Sequence, residues 1–323
     1  MTKVLVTGAT GFVGRPLCET LVQSGYAVRA AVRTDRPVVP PAAEHVVVGS
    51  IDADTSWDAA LEGVDSVLHL AATAHIVHDP SAHEQLYFDT NERGTRSLAQ
   101  AAARRGVRRF VYLSSVKVNG EGVVGHAYSP RDPPNPQDAY GLSKWRGEQA
   151  LTEIAESSDM EAVIVRSPLV YGPGVRANFL RLMQWVDRGR PLPLGAVDNR
   201  RSLVYVRNLC DLLTRSLTHP AASGRTWMVA DGVDLSTPEL IRSIGTAMHR
   251  SVHLLEVPLP LLRLCGRLLK RGAEVERLCG SLTVDSEPTR RELQWSPTVS
   301  TAEALARTVE WYSSESRLRG ARQ

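Results

Sequence analysis

Hydrophobic positions in the first half of the chain fall into short β-branched runs separated by longer stretches of helical period. Residues 3–7, 27–32, 45–48, 66–70, 110–114 and 162–166 form the runs, each flanked by glycine or polar residues, and they predict six strands. Between them, residues 15–24 place Leu17, Leu21 and Val22 on one face ahead of Gly25, and residues 92–105 and 139–156 show similar periodicity, which predicts helices. Strands that are apolar on both faces and alternate with helices predict an α/β fold: a doubly wound parallel sheet covered on both sides. Beyond Tyr171 the pattern loosens into shorter segments punctuated by Gly and Pro, which predicts a smaller C-terminal lobe over the carboxyl edge of the sheet. Residues 202–230 regain strand and helix character, so part of that stretch is expected to return to the main sheet. The run Ser129-Pro130-Arg131-Asp132-Pro133-Pro134-Asn135-Pro136 reads as a stiff loop.

Composition narrows the picture. At 323 residues and 43% hydrophobic content, the chain can bury a large core. Its net charge of +3 gives no global field that would single out nucleic acid as a partner. Cys18, Cys210, Cys265 and Cys279 contain no Cys-x-x-Cys pair, and His69, His75 and His78 have no carboxylate or cysteine to complete a ligand set, so no metal is expected. No uninterrupted apolar run approaches the roughly 20 residues of a spanning helix, and the start of the chain has no apolar signal core, which predicts a cytoplasmic protein. Residues 259–271 form a basic amphipathic segment. A core-facing helix is the expectation there, with peripheral contact to an anionic bilayer as the alternative.

Thr7-Gly8-Ala9-Thr10-Gly11-Phe12-Val13-Gly14 lies between the first expected strand and the first expected helix. At that junction backbone N–H groups and the positive helix end meet a pyrophosphate, so the motif predicts a Rossmann-type dinucleotide cradle. The dinucleotide domain is then expected over residues 1–170, with 202–230 returning to it, and a substrate lobe over 171–201 and 231–323. The second expected strand ends Val32-Arg33-Thr34-Asp35-Arg36. Arg33 and Arg36 suit a 2′-phosphate, which favours NADP(H), while Asp35 leaves NAD(H) open through a ribose contact.

Tyr140 and Lys144 are four residues apart at a helix start and share a face. A phenol with its ordinary pKa near 10 is a poor base at neutral pH, and a nearby ammonium lowers that pKa. Ser115, at the end of the fifth expected strand, supplies a hydroxyl to hold a substrate oxygen during proton transfer.

With these stand His69-Leu70-Ala71-Ala72, Asn91-Glu92-Arg93-Gly94-Thr95, Ser114-Ser115-Val116-Lys117 and Arg166-Ser167-Pro168-Leu169-Val170-Tyr171-Gly172. Over nearly its whole length the chain resembles the extended short-chain dehydrogenase/reductases, in particular the NAD-dependent epimerase/dehydratase branch that acts on nucleotide sugars. The resemblance implies a UDP-sugar substrate, a homodimer packed through residues 92–105 and 139–156, and catalysis by Ser115, Tyr140 and Lys144. It assigns cofactor contacts to Gly8, Thr10, Gly11, Phe12, Val13, Gly14, Ser50, Ile51, Leu70, Ala71, Ala72, Asn91, Ser114, Pro168 and Val170, besides Tyr140 and Lys144. Substrate contacts fall to Lys117, Asn178 and Arg201, the last as a diphosphate clamp, together with Ser115 and Tyr140. Dehydratases of this kind carry an Asp-Glu pair where Val116-Lys117 stands, which argues against water elimination. The second-strand acid of NAD-retaining epimerases is missing, and Ser50-Ile51 replaces an Asp-Ile adenine contact. Together with Arg33 these departures favour reduction of the C4 ketone of a UDP-linked sugar over 4-epimerisation of a UDP-sugar or lipid-linked sugar. A small-molecule carbonyl reductase and a non-enzymatic dinucleotide sensor are the rival readings.

Overall fold

The computed structural model describes residues 1–35, 39–40, 43–74, 84–122 and 125–320. Its strands are β1 (Lys3–Thr7), β2 (Ala27–Val32), β3 (Glu44–Val47), β4 (Ser66–His69), β5 (Arg109–Ser115), β6 (Ala127–Tyr128), β7 (Glu161–Ser167), β8 (Leu169–Tyr171), β9 (Leu203–Tyr205), β10 (Arg225–Met228) and β11 (Thr283–Val284). Seven of them form one sheet in the order β10-β7-β5-β4-β1-β2-β3, and every pairing in it is parallel. The order reverses at β1, so the carboxyl ends of β1 and β4 open a crevice where ligands of such sheets bind.

Side-chain alternation shows why these runs are apolar throughout. Val4 and Val6 of β1, Val111 of β5 and Val163 and Val165 of β7 enter one core; Leu5, Phe110, Tyr112, Ala162 and Ile164 enter a second core across the sheet. The helices that cover the faces are α1 (Gly14–Gln23), α2 (Asp58–Leu61), α3 (Glu84–Phe88), α4 (Thr95–Arg104), α5 (Ala139–Glu156), α6 (Ala177–Asp187) and α7 (Val206–Ser216). The C-terminal segments add α8 (Thr237–Ala247), α9 (Leu259–Leu268), α10 (Gly272–Cys279), α11 (Glu287–Glu292) and α12 (Thr301–Gly320). Two small parallel ladders, β8 with β9 and β6 with β11, tie these segments to the main sheet's loops.

Expected and observed elements differ in instructive places. The helix expected from residue 92 starts at Glu84 and passes through a π-helical turn, Asp89–Gly94, before α4. The polar run Asp89-Thr90-Asn91-Glu92 hides that continuation from a hydrophobic-period reading. The turn is fixed by tertiary contacts: a Cβ on Gly94 would lie 2.6 Å from Ile51 Cγ2. The core-facing expectation for residues 259–271 holds for one edge of the helix, where Leu262 joins the main core and Leu259 packs against it. Only Leu262 and Gly266 of α9 are buried, whereas Leu261, Leu264, Leu268 and Leu269 are about half exposed or more. The segment sets that edge against α10 and the main core, so one narrow edge suffices for its packing. No helix among the described residues is long and apolar enough to cross a membrane.

Candidate active site

The glycine loop follows β1 directly. Gly8 has φ of 67°, and a Cβ there would sit 2.8 Å from the Ala71 amide nitrogen; a Cβ on Gly14 would sit 2.1 Å from the Gly8 carbonyl. Gly11 N–H donates to Gly8 O at 2.9 Å, closing the turn. Thr10 and Gly11 are exposed, Phe12 and Val13 are half-buried, and no side chain caps the start of α1. The loop thus presents bare backbone at a helix N-terminus, an arrangement that fits a dinucleotide pyrophosphate.

A chain of hydroxyls locks this loop to β4. Thr7 Oγ1 accepts from the Leu70 and Ala71 amides, both at 3.1 Å, so its own proton points to His69 Nδ1 at 2.6 Å. His69 Nε2 must then carry the ring proton and donate to Thr95 Oγ1 at 3.0 Å, and Thr95 donates on to Asn91 O at 2.8 Å. Burial pushes the His69 pKa down to about 3, with the Lys144 charge adding to the effect. With both ring nitrogens engaged, His69 is a structural strut; His75 and His78 lie outside the described residues.

The Ser115, Tyr140 and Lys144 side chains converge at the carboxyl end of β5. Asp138 caps α5, accepting from Gly141 N–H at 2.7 Å, and thereby sets Tyr140 in the first turn. Burial raises the Tyr140 pKa to about 12, against which its hydrogen bond with the Ser115 hydroxyl acts to lower it. Lys144 is fully buried one turn on; its Nζ donates to Leu113 O at 2.7 Å and lies 3.9 Å from the Tyr112 ring centroid. Burial drags its pKa down to about 7, opposed by Glu148 on the next turn. Serine, tyrosine and lysine so placed can relay a proton to or from a substrate oxygen near neutral pH.

Several sequence-assigned side chains have other partners. Asn91, expected to touch the cofactor, is fully buried: its Nδ2 donates to Thr73 O and to Ser143 Oγ, and its Oδ1 accepts from Thr73 N–H. It staples the loop after β4 to α5. Ser114 donates to Glu148, whose carboxylate also takes a two-pronged bond from Arg166 at 3.0 and 2.6 Å; Arg166 reaches Asn119 as well. Lys117, expected at the substrate, pairs with Glu121 and Asp138, each at 2.6 Å. Arg201, expected as a diphosphate clamp, uses Nη1 on the carbonyls of Arg277 and Gly280 at the end of α10.

The remaining positions differ in exposure. Ile51 is half-buried beneath Gly94 and Ser50 is exposed; Leu70 and Ala71 are half-buried and Ala72 is exposed. Pro168 is buried, Val170 is half-buried in β8 and Asn178 is exposed on α6. Arg33 follows β2, exposed, and Arg36 lies outside the described residues. Sequence reasoning missed Thr7, Asn119, Glu148 and Arg166 as supports of the site. Glu148 carried a signal in its place eight residues beyond Tyr140 and four beyond Lys144, on the same helix face.

A glycine loop at the β1 to α1 junction and a serine–tyrosine–lysine set across the same crevice define a dinucleotide-dependent enzyme of the short-chain dehydrogenase/reductase type. The chain belongs to the NAD dependent epimerase/dehydratase family, whose model matches residues 4–230. It is 41% identical over 312 residues to a UDP-glucose 4-epimerase of Vibrio cholerae, covering 95% of this chain and 94% of that protein. It is 29% identical over 266 residues to the N-acetyl-alpha-D-glucosaminyl-diphospho-ditrans,octacis-undecaprenol 4-epimerase of Escherichia coli O157:H7, covering 82% of this chain and 78% of that protein. The structure of a Bacillus cereus UDP-glucuronic acid 4-epimerase in complex with NAD shares the fold at a TM-score of 0.78 and 23% identity, over 97% of this chain and 99% of that one.

Proposed function

We propose that the protein is a UDP-sugar 4-epimerase that keeps its NAD bound through the reaction. The observation that carries this reading is the Tyr140 phenol bonded to Ser115 with Lys144 buried one turn away, in a chain 41% identical to a UDP-glucose 4-epimerase. NAD held by the glycine loop would supply the hydride acceptor and donor for C4. Ser115 would hold the C4 oxygen, and Tyr140 would take its proton and later give it back. Lys144 would favour the phenolate by charge, since a phenol held near 12 by burial is otherwise a weak base. The glycine loop would hold the pyrophosphate, and α4 and α5, which pack side by side, would supply a dimer face. Elimination chemistry finds no support: Val116 is buried and Lys117 is ion-paired where a dehydratase needs a carboxylate pair.

Arg33 supports a second reading, an NADPH-dependent reductase of a C4 ketone. It is exposed at the carboxyl end of β2 with no carboxylate partner among the described residues, as a 2′-phosphate would require. The two readings separate in one experiment. UDP-glucose, UDP-N-acetylglucosamine and a UDP-4-keto-6-deoxy sugar are each incubated with the enzyme, with NADPH absorbance followed and products resolved by chromatography. Interconversion of C4 epimers without net NADPH loss supports the epimerase, and stoichiometric NADPH loss with the keto sugar overturns it in favour of the reductase. Tyr140→Phe is expected to lower turnover by about 10² to 10⁴-fold in either case.

A further inference from the structure

We propose that the α9–α10 hairpin is a docking surface for an anionic lipid bilayer, placed at the margin of the substrate site. Leu261, Leu264 and Leu268 lie three and four residues apart on one stripe of α9. They are 49%, 53% and 75% exposed, and Leu269 adds 70% at the turn into α10. Four of the ten large hydrophobic side chains found exposed among the described residues thus crowd into nine positions of a 323-residue chain. Scattered leucines need no explanation, but a contiguous apolar stripe on a surface does.

The charge around the stripe identifies its occupant. Residues 259–271 contain Arg263, Arg267, Lys270 and Arg271 and no acidic residue. Arg263 is paired with Glu276 at 2.8 Å, while Arg267, Lys270 and Arg271 have no carboxylate partner among the described residues. A leucine stripe flanked by uncompensated cations matches the boundary between acyl chains and anionic headgroups. The turn itself is built to project these groups. Lys270 N–H donates to Arg267 O and Arg271 N–H to Gly266 O, a helix stop that places Lys270 at φ of 55°, where glycine is the usual residue. A hydrophobic contact back onto the helix normally accompanies that stop, yet here Arg271 occupies the position and Leu268 and Leu269 face outward.

The hairpin is also tied to Arg201, which the resemblance assigns to a substrate diphosphate. Arg201 holds the carbonyls of Arg277 and Gly280 at the end of α10, so a bilayer beneath α9 would lie next to the residue expected to meet a substrate diphosphate. A sugar diphosphate carried on a lipid could then reach the crevice without leaving the membrane. This substrate consequence rests on the proposed C4 chemistry; the docking surface does not, and it is read without turnover.

The test is co-sedimentation of the full-length protein with vesicles of phosphatidylcholine alone and of phosphatidylcholine mixed with phosphatidylglycerol, with soluble UDP-sugar turnover measured in parallel. The protein should sediment with the anionic vesicles only, and added salt should release it. Arg267→Gln/Lys270→Gln/Arg271→Gln should weaken partitioning by about 100-fold, roughly fivefold per cation. Leu268→Ser/Leu269→Ser should weaken it while leaving turnover of the soluble substrate unchanged. Absence of vesicle binding, equal binding to both compositions, or indifference to both variants would overturn the proposal. So would light scattering in which the leucine variant lowers the mass from dimer to monomer, since the stripe would then be covered by a second copy of the chain.

Discussion

Replacing Lys144 by methionine should make the cofactor-free protein more stable near pH 6 and less stable near pH 10.5, while abolishing activity. Lys144 is 1% exposed, and burial lowers its pKa from 10.5 to about 7. At about 1.4 kcal/mol per pH unit, that fall corresponds to about 5 kcal/mol withheld from the folded state when the amine is charged in both states. Methionine removes this penalty at similar volume. It also removes the bond to Leu113 O, worth about 1 kcal/mol when the amine is neutral. The net gain at pH 6 is then about 4 kcal/mol. The sign reverses with pH. Between pH 7 and 10.5 the unfolded lysine still binds a proton that the folded one has lost, so wild-type stability rises through this window relative to the variant. Above it the penalty is gone and only the lost bond to Leu113 O remains. Urea unfolding of both proteins at pH 6, 8 and 9.5 measures the difference directly. A variant less stable than wild type at pH 6, or a stability gap that does not change with pH, would refute the reasoning.

Gly14→Ala would place its Cβ 2.1 Å from the Gly8 carbonyl, so the loop must open; NAD binding followed by calorimetry should weaken at least about 100-fold. Gly272→Ala, whose Cβ meets nothing within 4 Å, is the matched control and should bind as wild type does. Arg166→Ala leaves the Glu148 carboxylate buried without its ion partner and should cost about 3 to 5 kcal/mol in urea unfolding at pH 7. A cost below 1 kcal/mol at neutral pH would show that the pair is not the brace inferred here.

The parts of the molecule that could be read from sequence are those whose cause is local. Strands β1 and β2 and helix α5 fall at the expected residues, because an apolar run between polar flanks and a capped amphipathic stretch carry their own boundaries. The glycine loop and the Tyr140–Lys144 spacing are likewise short-range patterns. What escaped depends on partners distant in the chain. Asn91 reads as a ligand contact because a polar residue in a motif invites that role, yet it satisfies the backbone of Thr73 and the hydroxyl of Ser143, 52 residues away. Arg166 and Glu148 each look ordinary alone and become a buried pair only when β7 is laid beside β5 under α5. The same reasoning explains α9: its periodicity announced an apolar face but held no information about what would cover it. In this fold the candidate residues Ser115, Tyr140 and Lys144 could be singled out from sequence, whereas the side chains that hold them could not, because a support is defined by what it touches and touching is a property of the tertiary structure.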